Sequence, residues 1–143
     1  MNQLLQDRRR FLIALAASTA LVWLAAGRGL TGAVAYEVPQ ASIAEAKVLL
    51  DAGATVIDVR EEGQFAYRHL PNATLVPLDV LQAGVPAWLL AEKNRPVVVY
   101  CNRGLGHGPA ATHLLQAAGF SQVLNLSSGI EGWAEAGMPV RHG

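Results

Sequence analysis

The sequence predicts an α/β fold in which a mostly parallel sheet is covered by helices on both faces. Short apolar runs of strand length alternate along the chain with segments of helical periodicity. The strongest run, residues 96–100, is apolar on both faces, which is typical of the centre of a parallel sheet. The 143 residues are 52% apolar and 15% charged, a composition that suits one globular domain and excludes a disordered chain.

The first predicted elements follow position 41. Ser42, with Glu45 three residues later, forms a capping-box pattern that predicts a helix ending near Gly53. Its inward face comprises Ile43, Ala46, Leu49 and Leu50. Two short runs with β-branched or apolar residues, 55–59 and 73–76, predict the first two strands.

The second half of the chain continues the alternation of strands and helices. Residues 86–93 predict a helix with Leu89 and Leu90 facing inward. After the strand 96–100 and a glycine-rich turn, we expect a helix over 109–118, a strand over 123–126 and a helix over 130–136, with Trp133 in the core. Strands separated by helices imply right-handed crossovers, and therefore a parallel sheet.

The first 35 residues have the three parts of an export signal. A polar head ends in three arginines at positions 8–10, an uncharged run of 17 residues follows from Phe11 to Gly27, and an A-x-A sequence ends at Ala35. We therefore predict a signal peptide over residues 1–35 and a mature domain over residues 36–143. The alternative is a retained anchor in the inner membrane, although 17 residues are at the short limit for a span.

The arginines also resemble the twin-arginine export motif, in which an Arg pair is followed after one residue by Phe-Leu, here Phe11-Leu12. That resemblance implies a protein that folds before export and a periplasmic or other extracytoplasmic location. Three positive charges precede the apolar run, and Arg28 alone follows it directly, so the N-terminus is expected on the cytoplasmic side. The domain then lies outside the inner membrane whether the signal is cleaved or retained.

The charge balance and the cysteine count exclude several classes of function. Residues 36–143 carry seven basic and ten acidic side chains, a net charge of −3, so no positive field attracts nucleic acid. The chain has a single cysteine, Cys101, which excludes an intramolecular disulfide and a multi-cysteine metal site. Four scattered histidines offer no metal-ligand spacing, so we expect neither a metal nor another cofactor.

Cys101 directly follows the central predicted strand, at the sheet edge where parallel α/β folds gather their functional groups. Glycines at positions 104, 106 and 108 allow positive φ angles, so successive amides can converge as a nest for an anion. The following helix adds its N-terminal dipole and Arg103 adds a charge, and all three favour a nucleophilic thiolate. The alternative is an inert, buried structural cysteine.

Three motifs stand in order along the mature region. The first comprises residues 56–60 and 69–73, and the second comprises Cys101 with Gly104. The third comprises residues 128–133 and 136–140. Together they resemble the single-domain rhodaneses, a sulfurtransferase family, over about residues 38–141. The resemblance implies one rhodanese-like domain with a central, mostly parallel five-stranded sheet.

The resemblance also implies a mechanism. Cys101 would take a sulfane sulfur from a donor, thiosulfate or a persulfide, and hold it as a persulfide for a thiol or cyanide acceptor or for a protein partner. The substrate-binding loop would comprise Asn102, Arg103, Gly104, Leu105 and Gly106. Asp58, Arg60 and His107 would support the site, the first two through an ion pair and hydrogen bonds that hold the loop.

The loop departs from the usual family pattern at two positions. Gly106 stands where many members carry Arg, and His107 stands where Ser is common. Members that act on thiosulfate can instead carry a basic residue at the third position, which Arg103 matches. Arg103 therefore either pairs with donor oxygens or remains solvated. For His107 a general base, a switch near neutral pH and a helix-start residue all stay open.

Two other functions compete with sulfur transfer. A phosphatase family shares the fold, but its chemistry needs a longer loop ending in an Arg that clamps phosphate, and this loop has Gly106 there. The second competitor is a non-catalytic module that binds or delivers persulfide to a protein partner. Retention of Cys101 favours the enzyme.

Overall fold

The computed structural model describes residues 34–143, which form five strands and six helices. The strands are β1 (Gln40–Ala41), β2 (Thr55–Asp58), β3 (Ala73–Leu75), β4 (Val97–Tyr100) and β5 (Val123–Leu126). The helices are α1 (Ile43–Asp51), α2 (Glu62–Tyr67), α3 (Leu78–Ala83), α4 (Ala87–Leu90), α5 (His107–Ala117) and α6 (Gly129–Glu135). The export signal predicted over residues 1–35 lies almost wholly outside the described residues and stays a prediction.

The sheet has the strand order β1-β5-β4-β2-β3, and every pair is parallel. The predicted class, an α/β domain with a five-stranded sheet, is confirmed, and the sheet is parallel throughout. Strand β4 lies at the centre, with Val98 beside Val56 of β2 and Leu124 of β5. All four residues of β4 are buried, because a central parallel strand is covered on both faces.

Two core clusters pack on opposite faces of the sheet, because successive side chains of a strand point to opposite sides. Val97 and Val99 of β4 join the cluster that contains Leu115 of α5. Val98 and Tyr100 join the other cluster, which contains Trp133 of α6. Trp133 is fully buried, as predicted, and its indole Nε1 donates to the Pro139 carbonyl at 2.8 Å.

The helix α1 begins as its capping box predicts. The Glu45 amide donates to Ser42 Oγ at 3.2 Å, and the Ser42 amide donates to Glu45 Oε2 at 2.8 Å. On its predicted inward face only Ala46 is fully buried, and the other apolar side chains pack partly buried against the core. The prediction for Leu90 was wrong, because α4 is one short turn that buries Leu89 and leaves Leu90 38% exposed.

Three elements were not predicted from the sequence. Strand β1 has two residues, too few for a periodic pattern, and it pairs along β5 at the edge of the sheet. Helices α2 and α3 have six residues each, and α2 buries none of them.

Helix α5 begins at His107, two residues before the predicted start at Pro109. Within residues 34–143, the helices are too short or too polar for any to cross a bilayer.

Candidate active site

Cys101 lies immediately beyond the carboxyl end of β4, on the floor of a cleft of about 870 Å³. Only 4% of the residue is exposed, yet it lines the cleft. Its thiol donates to the Leu105 carbonyl at 3.3 Å, so the loop that follows curls back over the sulfur. The cysteine carbonyl accepts from the Ile130 amide of α6 at 3.0 Å, which fixes the residue from behind.

The loop turns at two glycines with positive φ, +76° at Gly104 and +71° at Gly106. Gly104 is buried against the backbone of Ser127, where any Cβ would overlap the Ser127 carbonyl. Its own carbonyl accepts from Asn125 Nδ2 at 3.0 Å. Gly104 therefore lies behind the loop rather than in the cleft, whereas Gly106 lines the cleft.

Asn125 is a functional candidate that the sequence analysis missed. It is fully buried in β5, and its Nδ2 also donates to Gln40 Oε1 of β1 at 2.8 Å. Among residues 34–143, its Oδ1 is a buried polar atom without a hydrogen-bond partner. The signal was a polar side chain in an apolar run, since Asn125 interrupts Val123–Leu126.

Helix α5 approaches Cys101 closely through Gly108. A Cβ built on Gly108 would lie 3.1 Å from Cys101 Sγ and would overlap Asn125 Oδ1. The first residue of the helix, His107, is exposed and lines the cleft. The positive end of the α5 dipole is therefore directed at the region of the sulfur.

Arg60 connects the end of β2 to the loop. Its Nη2 donates to Asp58 Oδ2 at 2.7 Å and to the Arg68 carbonyl at 2.7 Å, and its Nη1 donates to Asn102 Oδ1 at 3.2 Å. The ion pair is buried, with side-chain exposures of 4% for Arg60 and 0% for Asp58. Burial alone would lower the pKa of Arg60, but the hydrogen bonds and charge of Asp58 raise it above its ordinary value.

Tyr100 completes this network beneath the cleft. The Arg60 guanidinium carbon lies 5.5 Å from the centre of its ring, and its hydroxyl accepts from the Leu70 amide at 3.1 Å. Burial, followed by the nearby Asp58 carboxylate, raises the pKa of Tyr100 far above its usual value. The phenol therefore stays neutral even at alkaline pH values at which an exposed tyrosine ionises.

Arg103 stands at the mouth of the cleft, where its Nε donates to Glu131 Oε2 at 3.0 Å. Glu131 belongs to α6, and its backbone amide donates to the Asn102 carbonyl at 3.0 Å. Neither role expected for Arg103 from the sequence, pairing with donor oxygens or solvation, includes a partner within the chain. The ion pair joins residues 28 positions apart, so no local spacing indicated it.

Seven of the nine site residues predicted from the sequence line one cleft. They are Arg60, Cys101, Asn102, Arg103, Leu105, Gly106 and His107. The other two, Asp58 and Gly104, lie behind the cleft. The Asp58 carboxylate accepts a hydrogen bond from the Arg60 side chain, and the Gly104 carbonyl accepts one from the Asn125 side chain. Within the part of the chain described, no three His, Cys, Asp or Glu side chains come together as metal ligands.

Comparison with protein families identifies a rhodanese-like domain over residues 42–136. A sulfurtransferase of Allochromatium vinosum is 32% identical over 85 residues, which cover 59% of this chain and 76% of the relative. The thiosulfate sulfurtransferase GlpE of Coxiella burnetii is 35% identical over 78 residues, which cover 54% of this chain and 69% of the relative.

Solved structures show the same likeness. A rhodanese-related protein from Thermoplasma volcanium has a TM-score of 0.62 and 26% sequence identity, with coverage of 72% of this chain and 97% of that one. The human single-domain sulfurtransferase TSTD1 has a TM-score of 0.60 and 26% identity, with coverage of 69% and 97%.

Proposed function

This chain belongs to the rhodanese-like family, and from that premise we propose that it is a sulfurtransferase that carries sulfane sulfur as a persulfide on Cys101. One observation carries the proposal: the only thiol of the chain lies on the floor of a cleft, beneath a curled loop and beside a helix N-terminus. Sulfurtransferases among the relatives support the same reaction class.

The reaction has two displacement steps. The Cys101 thiolate attacks the outer sulfur of a donor such as thiosulfate, the sulfur–sulfur bond of the donor breaks, and sulfite leaves with the bonding electron pair. A cyanide or thiolate acceptor then attacks the terminal sulfur of the persulfide with its own electron pair. The sulfur–sulfur bond of the persulfide breaks, and the electron pair of that broken bond returns to Cys101 as its thiolate. The N-terminal dipole of α5 favours the negative charge on the sulfur in both steps.

Thiosulfate or an organic persulfide is the proposed donor, and a thiol or cyanide is the proposed acceptor. Relatives from Haemophilus influenzae and Coxiella burnetii are named thiosulfate sulfurtransferases, which supports thiosulfate. A cleft of about 870 Å³ is much larger than such an ion requires, which supports access by a larger carrier. Delivery of persulfide to a protein partner is therefore the second candidate.

The test is intact mass spectrometry after incubation with thiosulfate. We expect a gain of one sulfur atom, reversed by cyanide or dithiothreitol. Cys101→Ser should keep the fold and lose both the added mass and all turnover, because it removes the only thiol. Thiocyanate production that continued in the purified serine variant would overturn the assignment.

We also propose that the domain works outside the inner membrane. Three arginines before an uncharged run of 17 residues, followed by an A-x-A sequence, support export. A cleaved periplasmic form is proposed, with a form anchored in the inner membrane as the alternative.

A further inference from the structure

Arg103 is a positively charged residue at the mouth of the cleft, and it is already paired with a carboxylate of the same chain, that of Glu131. Its Nε donates to Glu131 Oε2 at 3.0 Å. A donor anion that approaches the loop therefore meets a guanidinium whose positive charge Glu131 already partly balances. In water such a pair is weak when both side chains are free to move, so its importance depends on how firmly Glu131 is held.

Backbone contacts hold Glu131 in place above the loop. The amides of Ile130 and Glu131 donate to the carbonyls of Cys101 and Asn102, each at 3.0 Å. Gly129, with φ +59°, packs so closely on the backbone of Asn102 that a Cβ there would overlap it. The start of α6 is thus joined to the loop that carries Arg103, so the two backbone segments are already at the spacing that the ion pair needs. The Arg103 and Glu131 side chains themselves are 76% and 39% exposed.

The other charges of the cleft add to the same effect. Glu61 and Asp79 also line the mouth. The second cation there, Arg60, is paired with Asp58, so its charge is already balanced. With Arg103 balanced by Glu131, the remaining carboxylates give the mouth a net negative charge, which repels a doubly negative ion more strongly than a singly negative one.

We propose that Glu131 is a specificity-determining residue that holds the Arg103 guanidinium and reduces the capture of doubly charged donors. The site then favours sulfane donors with one negative charge or none, the class of thiosulfonates and organic persulfides. This inference rests on the proposed sulfur transfer through Cys101. It differs from both sequence expectations, in which Arg103 either pairs with donor oxygens or remains solvated.

Two donors that differ in charge but react in the same way provide the test. Thiosulfate carries two negative charges and releases sulfite, whereas methanethiosulfonate carries one and releases methanesulfinate, and each leaves its outer sulfur on Cys101. We expect Glu131→Gln to raise the rate of persulfide loading from thiosulfate about three- to tenfold at low ionic strength. Loading from methanethiosulfonate should change less than about twofold.

Three controls make the result specific. Glu135→Gln removes an exposed carboxylate from the same helix outside the cleft and should leave both rates unchanged. Arg103→Ala combined with Glu131→Gln should show a much smaller thiosulfate gain than Glu131→Gln alone, because the freed cation is then absent. About 0.5 M salt should largely remove the difference between Glu131→Gln and the parent protein, because the Debye length shortens.

The outcomes separate this inference from the function on which it rests. Persulfide formation on the parent, with equal thiosulfate rates in the parent and Glu131→Gln, would overturn the role of Glu131 alone. An equal gain for both donors, or a full gain without Arg103, would also overturn it. Absence of persulfide on the parent with both donors would overturn the sulfurtransferase proposal itself.

Discussion

Gly108 shows how one missing side chain shapes the site. It is the second residue of α5, and its backbone angles require no glycine. Glycine is needed at this position because there is no room for a side chain. A Cβ there would lie 3.1 Å from Cys101 Sγ and overlap Asn125 Oδ1. Both neighbours belong to buried residues that cannot move away cheaply. The close approach of helix to sulfur therefore depends on this glycine.

Gly108→Ala should disrupt the site although alanine is the better helix former. We expect a loss of about 1–3 kcal/mol in the free energy of unfolding, because the methyl group overpacks the space beside Asn125. Persulfide loading should fall at least about tenfold, since small displacements of a nucleophile have large effects on rate. Urea unfolding and stopped-flow loading measure the two effects.

Gly63→Ala is the matched control. Gly63 is also the second residue of its helix, α2, but a Cβ there meets nothing within 4 Å. The free energy of unfolding of Gly63→Ala should stay the same or rise by up to about 1 kcal/mol, and its rate of persulfide loading should be unchanged. Equal behaviour of the two variants would contradict the role assigned to Gly108.

At the scale of elements, the ends of β2 and β4 are joined by a buried network of Asp58, Arg60 and Tyr100. The Tyr100 hydroxyl accepts from the buried Leu70 amide at 3.1 Å. Its raised pKa means that the folded protein keeps the phenolic proton where the unfolded chain loses it, above about pH 10. Stability from this group is therefore complete below about pH 10 and decreases as the pH rises further.

Tyr100→Phe should make this loss visible. At neutral pH the variant should be less stable by about 1–3 kcal/mol, because the Leu70 amide loses its acceptor. Above about pH 10 the parent should lose about 1.4 kcal/mol per pH unit more than the variant, so the difference between them narrows. Urea unfolding of both proteins from pH 7 to pH 11 measures this. A constant difference across that range would contradict the assignment.

The elements that the sequence predicted are those with a strong local pattern. Strand β4 was visible because it is apolar on both faces, and α1 was visible because Ser42 and Glu45 form a capping box. Strand β1 was missed because two residues carry no period, and its place is set by pairing with β5 across more than 80 residues. Leu90 was misplaced because α4 ends after four residues.

The candidate site likewise has one part that a local sequence pattern predicts and another part that depends on contacts between distant segments. The nucleophile and its glycine-rich loop are contiguous in sequence, so the strand–Cys101–turn–helix pattern predicted them. The contacts that tune the loop come from distant segments, Asn125 in β5 and Glu131 in α6. Asn125 is a polar residue in an apolar run, which the sequence does show, but its partners and those of Glu131 depend on how the sheet and helices pack, and no local pattern indicates them.

At the scale of the whole molecule, the predicted cleavage site after Ala35 precedes every strand and helix that the structure describes. Tyr36, the first residue after the predicted cut, stacks on His113 of α5 with ring centres 4.6 Å apart. Cleavage after Ala35 would therefore leave this contact and the whole sheet with the mature domain.

Replacing Arg8, Arg9 and Arg10 together by Lys should stop export. Lysine keeps the three positive charges, so the charge asymmetry that orients the N-terminus is unchanged. What changes is the planar guanidinium group, which a receptor for the twin-arginine motif recognises and an ammonium does not reproduce. We therefore expect the variant to accumulate in the cytoplasm as full-length precursor, whereas Arg28→Lys, the matched control, is exported normally.

Cell fractionation with N-terminal sequencing measures the outcome. Exported parent protein should begin at Tyr36. A parent that keeps its N-terminus in the membrane fraction would support the anchored alternative and contradict cleavage after Ala35. Normal export of the triple lysine variant would contradict the twin-arginine route, because positive charge alone would then suffice. The domain would in that case cross the membrane unfolded, and the sheet that carries Cys101 would form only outside.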